Sequence, residues 1–268
     1  MEFLEILDEV MSSLPRKSMI EIYEDKFTIV GDLHADYEAL GVIKKNILGK
    51  AIFLGDYADR GEDPIDVYKE VFDLFLDDKA IILRGNHESQ EVFPHDLPFQ
   101  LKETFGEEGV EIYEGLKRLW EKMPISALAN GELWLVHGGV PTKGCKVKHE
   151  GITRKEIEKP SNELKMEMMW NDPWDNPDCG LNWQRGFMYF FGKIATRTLL
   201  NTLDAKVVVR SHEPYKILKA EQDGMVVTIG SCANPYGLPH FAILQVDTRI
   251  GFKDGFELIR NFGKVLKL

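Results

Sequence analysis

The chain has 268 residues, 44% apolar and 29% charged, with a formal net charge of −11 at pH 7. That balance fits an ordinary globular protein able to bury a full core. The acidic surplus argues against a nucleic-acid partner, and no apolar run approaches the ~20 residues needed to span a bilayer.

Residues 1–10 carry four acids and no base, unlike a signal peptide. Cys145, Cys179 and Cys232 are odd in number, widely spaced and form no Cys-x-x-Cys pair. Neither a disulfide framework nor a zinc knuckle is expected, so each reads as a small core or surface residue. The expectation is a cytoplasmic chain without membrane contact, read as a monomer.

In chain order, residues 3–11 carry a helical apolar stripe that Pro15 stops. Residues 20–30 read as a hairpin turning at Asp25-Lys26, whose second strand ends at Gly31. Asp32 and His34 follow, two apart on an extended segment, and so face the same way. A helix is expected over 36–47, then a strand over 51–54 leading into Gly55-Asp56-Tyr57-Ala58-Asp59-Arg60-Gly61. Pro64 starts a helix through Leu76. The strand at 80–83 runs into Arg84-Gly85-Asn86-His87-Glu88. Helices are expected at 97–105 and 110–123. An apolar run at 133–136 ends in His137-Gly138-Gly139. Residues 141–180 read as connection, with one helix near 162–169. A helix follows at 193–203, then a strand at 207–209 ending in Arg210-Ser211-His212. Residues 225–229, 241–246 and 256–259 read as further strands. No repeat or linker interrupts the chain, so one domain over 1–268 is expected.

Five apolar runs thus end in metal-type ligands: Asp32 with His34, Asp56, Asn86, His137 and His212. Strands interleaved with helices imply an α/β sheet, whose ligand crevice lies beyond the carboxyl ends of the strands. One strand-end histidine is usually structural, and an Asp before a turn is often turn chemistry. Five coincidences of the same placement point to a metal site. Mixed carboxylate, amide and imidazole donors suit manganese first, with iron or zinc as alternatives. Six protein ligands are too many for one open catalytic ion and suit two divalent ions sharing a carboxylate. Such a pair acidifies a bridging water and clamps an in-line displacement at phosphorus. Arg60 and Arg185 are candidates to grip the phosphoryl oxygens, because a guanidinium holds phosphate bidentately.

These blocks, in this order over residues 27–240, resemble the signature blocks of the phosphoprotein phosphatase family of serine/threonine phosphatases. Weaker blocks add to the likeness: Met123-Pro124-Ile125-Ser126, Trp170-Asn171-Asp172-Pro173, Arg185-Gly186 and residues 231–236. The first three blocks alone indicate only the wider metallophosphoesterase superfamily. The resemblance implies a metallo-dependent phosphatase fold, a central β-sandwich flanked by helices with the metals at one edge. It implies a phosphomonoesterase acting on phosphorylated proteins or peptides through a metal-bridging hydroxide. Asp32, His34 and Asp56 would hold one metal, and Asp56, Asn86, His137 and His212 the other. His87 would protonate the leaving alkoxide with Asp59 bonded to it. Arg60, Arg185 and Asn86 would meet the phosphate, and Tyr236 would reach the site from the last loop.

Two positions depart from the family pattern. Ala35 stands where the first block usually has Gly, and an extra residue separates Asn234 from Tyr236. Glu88 reads as support for a neighbour rather than a ligand. Arg84 and Arg210 read as packing or supporting charges, and His95, His149 and His240 as surface or structural. For Arg60 the plain alternative is an ion pair with Asp56 or Asp59. For Arg185 it is stacking on Trp183 or Phe187. Other functions on the same scaffold are a dinucleoside polyphosphate hydrolase or small-molecule phosphatase, which Gly138 disfavours, and a nuclease, which the acidic balance disfavours. A catalytically dead binding module would lack a ligand, and none is missing.

Overall fold

The computed structural model describes residues 3–186 and 188–268. Two sheets stack face to face. The first has six strands in the order Met19–Ile22, Ser126–Ala129, Leu133–Val136, Val207–Arg210, Val226–Ile229, Leu218–Glu221. The second has five, in the order Gly263–Leu266, Phe241–Asp247, Lys26–Val30, Lys50–Phe53, Ala80–Ile82. Ile29, Ile52, Leu135, Val207, Val209 and Ile229 fill the space between them. The alternate side chains face outward and are buried too. Ala51 and Phe53 pack under the helices Phe3–Ser13, Pro64–Leu76 and Glu107–Trp120, while Trp134 and Val208 pack under Lys193–Leu203. Strands covered on both faces need no polar side, which is why they read as unbroken apolar runs.

Strand direction positions the site. Lys26–Val30, Lys50–Phe53 and Ala80–Ile82 run parallel, as do Leu133–Val136, Val207–Arg210 and Val226–Ile229. Their carboxyl ends therefore collect at shared edges. A parallel bridge between Asp32 and Gly230 ties the two sheets there, and the Gly31 amide donates to Ser231 Oγ at 2.7 Å.

The helices Pro64–Leu76, Leu97–Phe105 and Lys193–Leu203 occupy the expected residues. Several expectations are corrected. Residues 20–30 are not a hairpin: Met19–Ile22 pairs with Ser126–Ala129 in one sheet, and Lys26–Val30 lies in the other. The Asp25-Lys26 step crosses the sandwich instead of folding back. Residues 256–259 lie in a helix, Gly255–Phe262, started by the Asp254 side chain accepting from the Glu257 amide. That N-cap outweighs the strand-like run of apolar residues. The connection at 141–180 holds three helices, Val147–Glu150, Arg154–Glu158 and Asn162–Trp170. It leads into a small three-stranded sheet of Asp172–Pro173, Met188–Phe191 and Gly180–Asn182. Short strands whose partners lie across loops carry too little periodicity to register in sequence.

Cys145 and Cys179 form a disulfide, against the expectation of unpaired thiols. Their wide spacing concealed a Cα–Cα distance of 5.5 Å, because the connecting helices fold the two loops together. Cys232 is free and buried. Among the described residues, no helix is long and apolar enough to cross a membrane.

Candidate active site

The strand ends turn sharply, and the turn angles are unusual. His34, Asp56, Asp59 and His212 all have positive φ, at 46°, 58°, 63° and 68°. Non-glycine residues adopt this region at a cost, and such strain gathers at functional sites. Asp32 and His34 do face one place, but through this turn rather than along an extended segment. Ala35 also has positive φ, 56°, the property that explains a glycine preference at that position. Gly55 has φ 109°, and a Cβ there would lie 2.2 Å from the Gly85 amide, so the two loops touch backbone to backbone. The amides of Leu33 and His34 both donate to the Asp56 carbonyl, at 3.0 and 2.8 Å.

The six predicted ligands converge. His34 Nε2 lies 3.5 Å from Asp56 Oδ2 and 3.9 Å from Asp32 Oδ2. His137 Nε2 lies 3.3 Å from the same Asp56 oxygen, 2.8 Å from Asn86 Oδ1 and 3.1 Å from His212 Nδ1. All six side chains are buried. Asp56 belongs to two trios of mutually close donors, one with His34 and His87 and one with His137 and His212. The first trio brings His87 beside the candidate ligands, its ring 4.8 Å from that of His34.

The donor chemistry fits metal. His34 Nδ1 donates to the Ala58 carbonyl and His137 Nδ1 to the Leu54 carbonyl, each at 3.1 Å. Both Nε2 lone pairs therefore point into the site. There they meet the acceptor oxygens of Asp56, Asp32 and Asn86 and, at His34, the Tyr236 hydroxyl 3.2 Å away. The Asp32 Oδ2 atom is buried without a hydrogen-bond partner. Acceptors gathered around acceptors need a cation.

The electrostatics agree. Burial pushes the Asp56 carboxyl up, but His137, His87 and His34 outweigh it and hold it well below the ordinary range. Burial, with His87 nearby, lowers His34, and burial with Arg185 nearby lowers His212 much further, so both are neutral donors. His137 is raised: burial opposes the imidazolium, but Asp56 and Asp32 make its place favour positive charge.

Glu88 is fully buried and accepts from the amides of Asp56, Gly85 and Tyr57 at 2.7, 2.9 and 3.0 Å. Through these three amides it clamps the two loops. His87 Nδ1 donates to Asp59 Oδ2 at 2.7 Å. Burial disfavours the His87 cation, but Asp56 and the Asp59 bond outweigh it and raise its pKa.

Arg60 does not pair with Asp56 or Asp59. Its Nη1 donates to the Pro94 carbonyl at 2.7 Å and lies 3.6 Å from Asp96. Arg185 Nε donates to Asp172 at 2.9 Å and its Nη2 to the His212 carbonyl at 3.2 Å, which places its guanidinium beside the ligand cluster. Phe187, one alternative stacking partner of Arg185, lies outside the described residues. The buried Arg210 bonds the other Asp172 oxygen at 2.9 Å. Asp172, from the Trp-Asn-Asp-Pro block, thus holds both arginines. Tyr236 reaches the site despite the extra residue before it, its hydroxyl 3.2 Å from His34 Nε2.

Sequence reading gave no role to Asp36, named Asp172 only within a block, and took His95 as surface or structural. Asp36 accepts from the amides of Ala233 and Asn234, at 2.8 and 2.9 Å, and so anchors the Tyr236 loop. His95 lies against Asp59. Nothing in the spacing of these residues signalled contacts that cross the fold.

A buried cluster sharing one carboxylate, with arginines and a histidine–aspartate pair at its rim, defines a metallophosphoesterase. The calcineurin-like phosphoesterase family matches residues 25–216, and the chain belongs to that family. It is 31% identical over 244 residues to the serine/threonine-protein phosphatase 5 of Solanum lycopersicum, covering 84% of this chain and 42% of that one. It is 27% identical over 253 residues to the human serine/threonine-protein phosphatase 5, covering 84% and 47%. The chain thus spans less than half the length of these relatives. A Saccharomyces cerevisiae serine/threonine phosphatase described as similar to human PP5 superposes with a TM-score of 0.81 at 20% identity, over 99% of this chain and 88% of that one. A cold-active protein-tyrosine phosphatase of a Shewanella species gives 0.63 at 14% identity, over 97% and 84%. At these identities the structural likeness concerns the fold.

Proposed function

We propose that the chain is a metal-dependent phosphomonoesterase acting on phosphoserine and phosphothreonine in proteins or peptides. The observation that carries this is the shared position of Asp56 between two donor trios, with His87–Asp59 and Arg185 on the same crevice. Asp32, His34 and Asp56 would hold one divalent ion, and Asp56, Asn86, His137 and His212 a second. Such ions, manganese foremost, supply a nucleophile at neutral pH and polarise the phosphoryl group.

The chain's own residues do the rest. Arg185 and Arg60 bind phosphoryl oxygens, and each is already oriented by a fixed acceptor, Asp172 for one and the Pro94 carbonyl for the other. His87 donates its Nε2 proton to the leaving alkoxide, with its Nδ1–H held by Asp59. Asp59 keeps His87 in the donating orientation, and Tyr236 closes the crevice beside His34. An exposed aromatic flanks the crevice: Tyr215 packs edge-on against Tyr236 with ring centroids 5.3 Å apart, and the exposed Trp183 opens the short helical turn that carries Arg185. Such rings suit the side chains on either side of a phosphorylated residue in an extended peptide.

Phosphate release from a phosphoserine peptide tests the proposal. Chelation is expected to abolish release, and added manganese to restore it better than other divalent ions. Release that persists in full after the metal has been stripped, verified by elemental analysis, would refute it.

A further inference from the structure

Asp59 has more donors than its pairing with His87 requires. Its Oδ1 accepts from the amides of Asp96 and Leu97 at 2.7 and 2.9 Å. Its Oδ2 accepts from His87 at 2.7 Å and from His95 Nδ1 at 2.9 Å. His95 Nε2 in turn lies 2.9 Å from the Tyr113 hydroxyl. Burial, with Asp59 nearby, pushes the Tyr113 pKa up to about 12, so the phenol keeps its proton. A carboxylate only accepts, so the hydrogen of the His95–Asp59 bond sits on His95 Nδ1. Two imidazole N–H groups, of His95 and of His87, thus donate to one oxygen of Asp59.

The segment carrying His95 also holds the neighbouring arginine. The Pro94 carbonyl accepts from Arg60 Nη1 at 2.7 Å, and Asp96 Oδ2 accepts from the Arg60 amide at 3.2 Å. Residues 94–97 therefore wrap the Asp59-Arg60 turn from outside. The His95 side chain is only 11% exposed, and its ring packs 5.6 Å from Tyr113 and 6.3 Å from Trp120.

We infer that His95 is a positioning residue for the proton donor, its Nδ1–H fixing the Asp59 carboxylate so that His87 aims Nε2 at the leaving oxygen. This rests on the proposed role of His87. As the P–O bond breaks, its electron pair goes to the serine oxygen, the His87 Nε2–H bond breaks and the O–H bond forms. His95 transfers no proton.

Leaving-group dependence separates this from a merely structural role. A serine alkoxide must be protonated as it leaves, whereas p-nitrophenolate leaves without a proton. In metal-loaded protein, His95→Ala is expected to lower kcat on a phosphoserine peptide by about 10-fold, a fraction of the ~10²–10⁴ a general acid supplies. On p-nitrophenyl phosphate the fall is expected to be under about 2-fold, and KM for both substrates to stay within about 2-fold, as for loss of an effect felt only in the transition state. His95→Asn presents an amide N–H where Nδ1 stood and is expected to recover most of the loss. Equal losses on both substrates, no loss on either, a raised KM in place of a lowered kcat, or no recovery by Asn would overturn the inference. If His95→Ala does not fold, the Asn variant and Tyr113→Phe, which removes the hydroxyl bonded to Nε2, carry the same comparison. His87→Ala run alongside separates the two levels. A leaving-group-dependent loss there with none in the His95 variants sinks only the role of His95. No such dependence in His87→Ala sinks the proton-donor reading, and the inference with it.

Discussion

Asp56 is the residue on which the site turns. Its backbone sits at φ 58°, its Oδ1 accepts the His87 amide at 2.9 Å, and its Oδ2 faces His34 and His137 at 3.5 and 3.3 Å. One carboxylate oxygen between two imidazoles is the geometry of a bridge, provided a cation stands on each side. Asp56→Asn leaves the shape and removes the charge. The expected outcome is loss of both metal ions together, read as metal per protein after dialysis. Loss of one ion with the other retained would show that Asp56 does not join the two sites. Arg60 and Arg185 differ at this scale. Arg185 is tied to the His212 carbonyl at 3.2 Å, whereas Arg60 is tied to the 94–97 segment, on the side of the proton donor. In the proposed reaction the heptapeptide Gly55–Gly61 would thus serve the metals through Asp56 and the donor through Asp59.

At the scale of elements, the sequence disclosed what repeats locally and hid what pairs at a distance. Strand ends were legible because five buried strands stop in Asp, Asn or His, a pattern that turn chemistry or a structural histidine explains singly but not jointly. Helices such as Pro64–Leu76 were legible from their spacing and their first proline. The Asp25-Lys26 step misled because a turn between two strands looks the same whether they pair or enter different sheets. The three-stranded sheet that carries Asp172 and leads to Arg185 escaped notice because its strands are two to four residues long. Gly138 was read as a mark against nucleotide substrates. In the fold it answers to packing: a Cβ there would lie 2.3 Å from the Met169 backbone carbon, at the end of the helix Asn162–Trp170. The disulfide belongs to this scale also. It closes 34 residues and fastens the loop before the small sheet. A loop of that length limits the unfolded chain by about 3–4 kcal/mol. Cys145→Ser is therefore expected to lower Tm by roughly 10 °C in calorimetry under non-reducing conditions. An unchanged Tm would show that the pair contributes nothing in solution.

For the whole molecule, two sheets covered on both faces make a scaffold whose strand ends gather a dense set of buried polar residues. The parallel halves bring those ends to one edge, and the Asp32–Gly230 bridge locks the halves in register. Such a frame brings the six candidate ligands together, as the proposed phosphoryl transfer would require. The same frame serves phosphatases of different substrate classes, so fold alone does not select among them. The selection made here rests on the arginines, on His87–Asp59 and on the aromatic rim. The direct test is a comparison of kcat/KM for a phosphoserine peptide and for dinucleoside tetraphosphate, with the same manganese-loaded protein. Strong preference for the peptide, with release of one inorganic phosphate per serine regenerated, is the predicted result. Strong preference for the nucleotide would contradict the account.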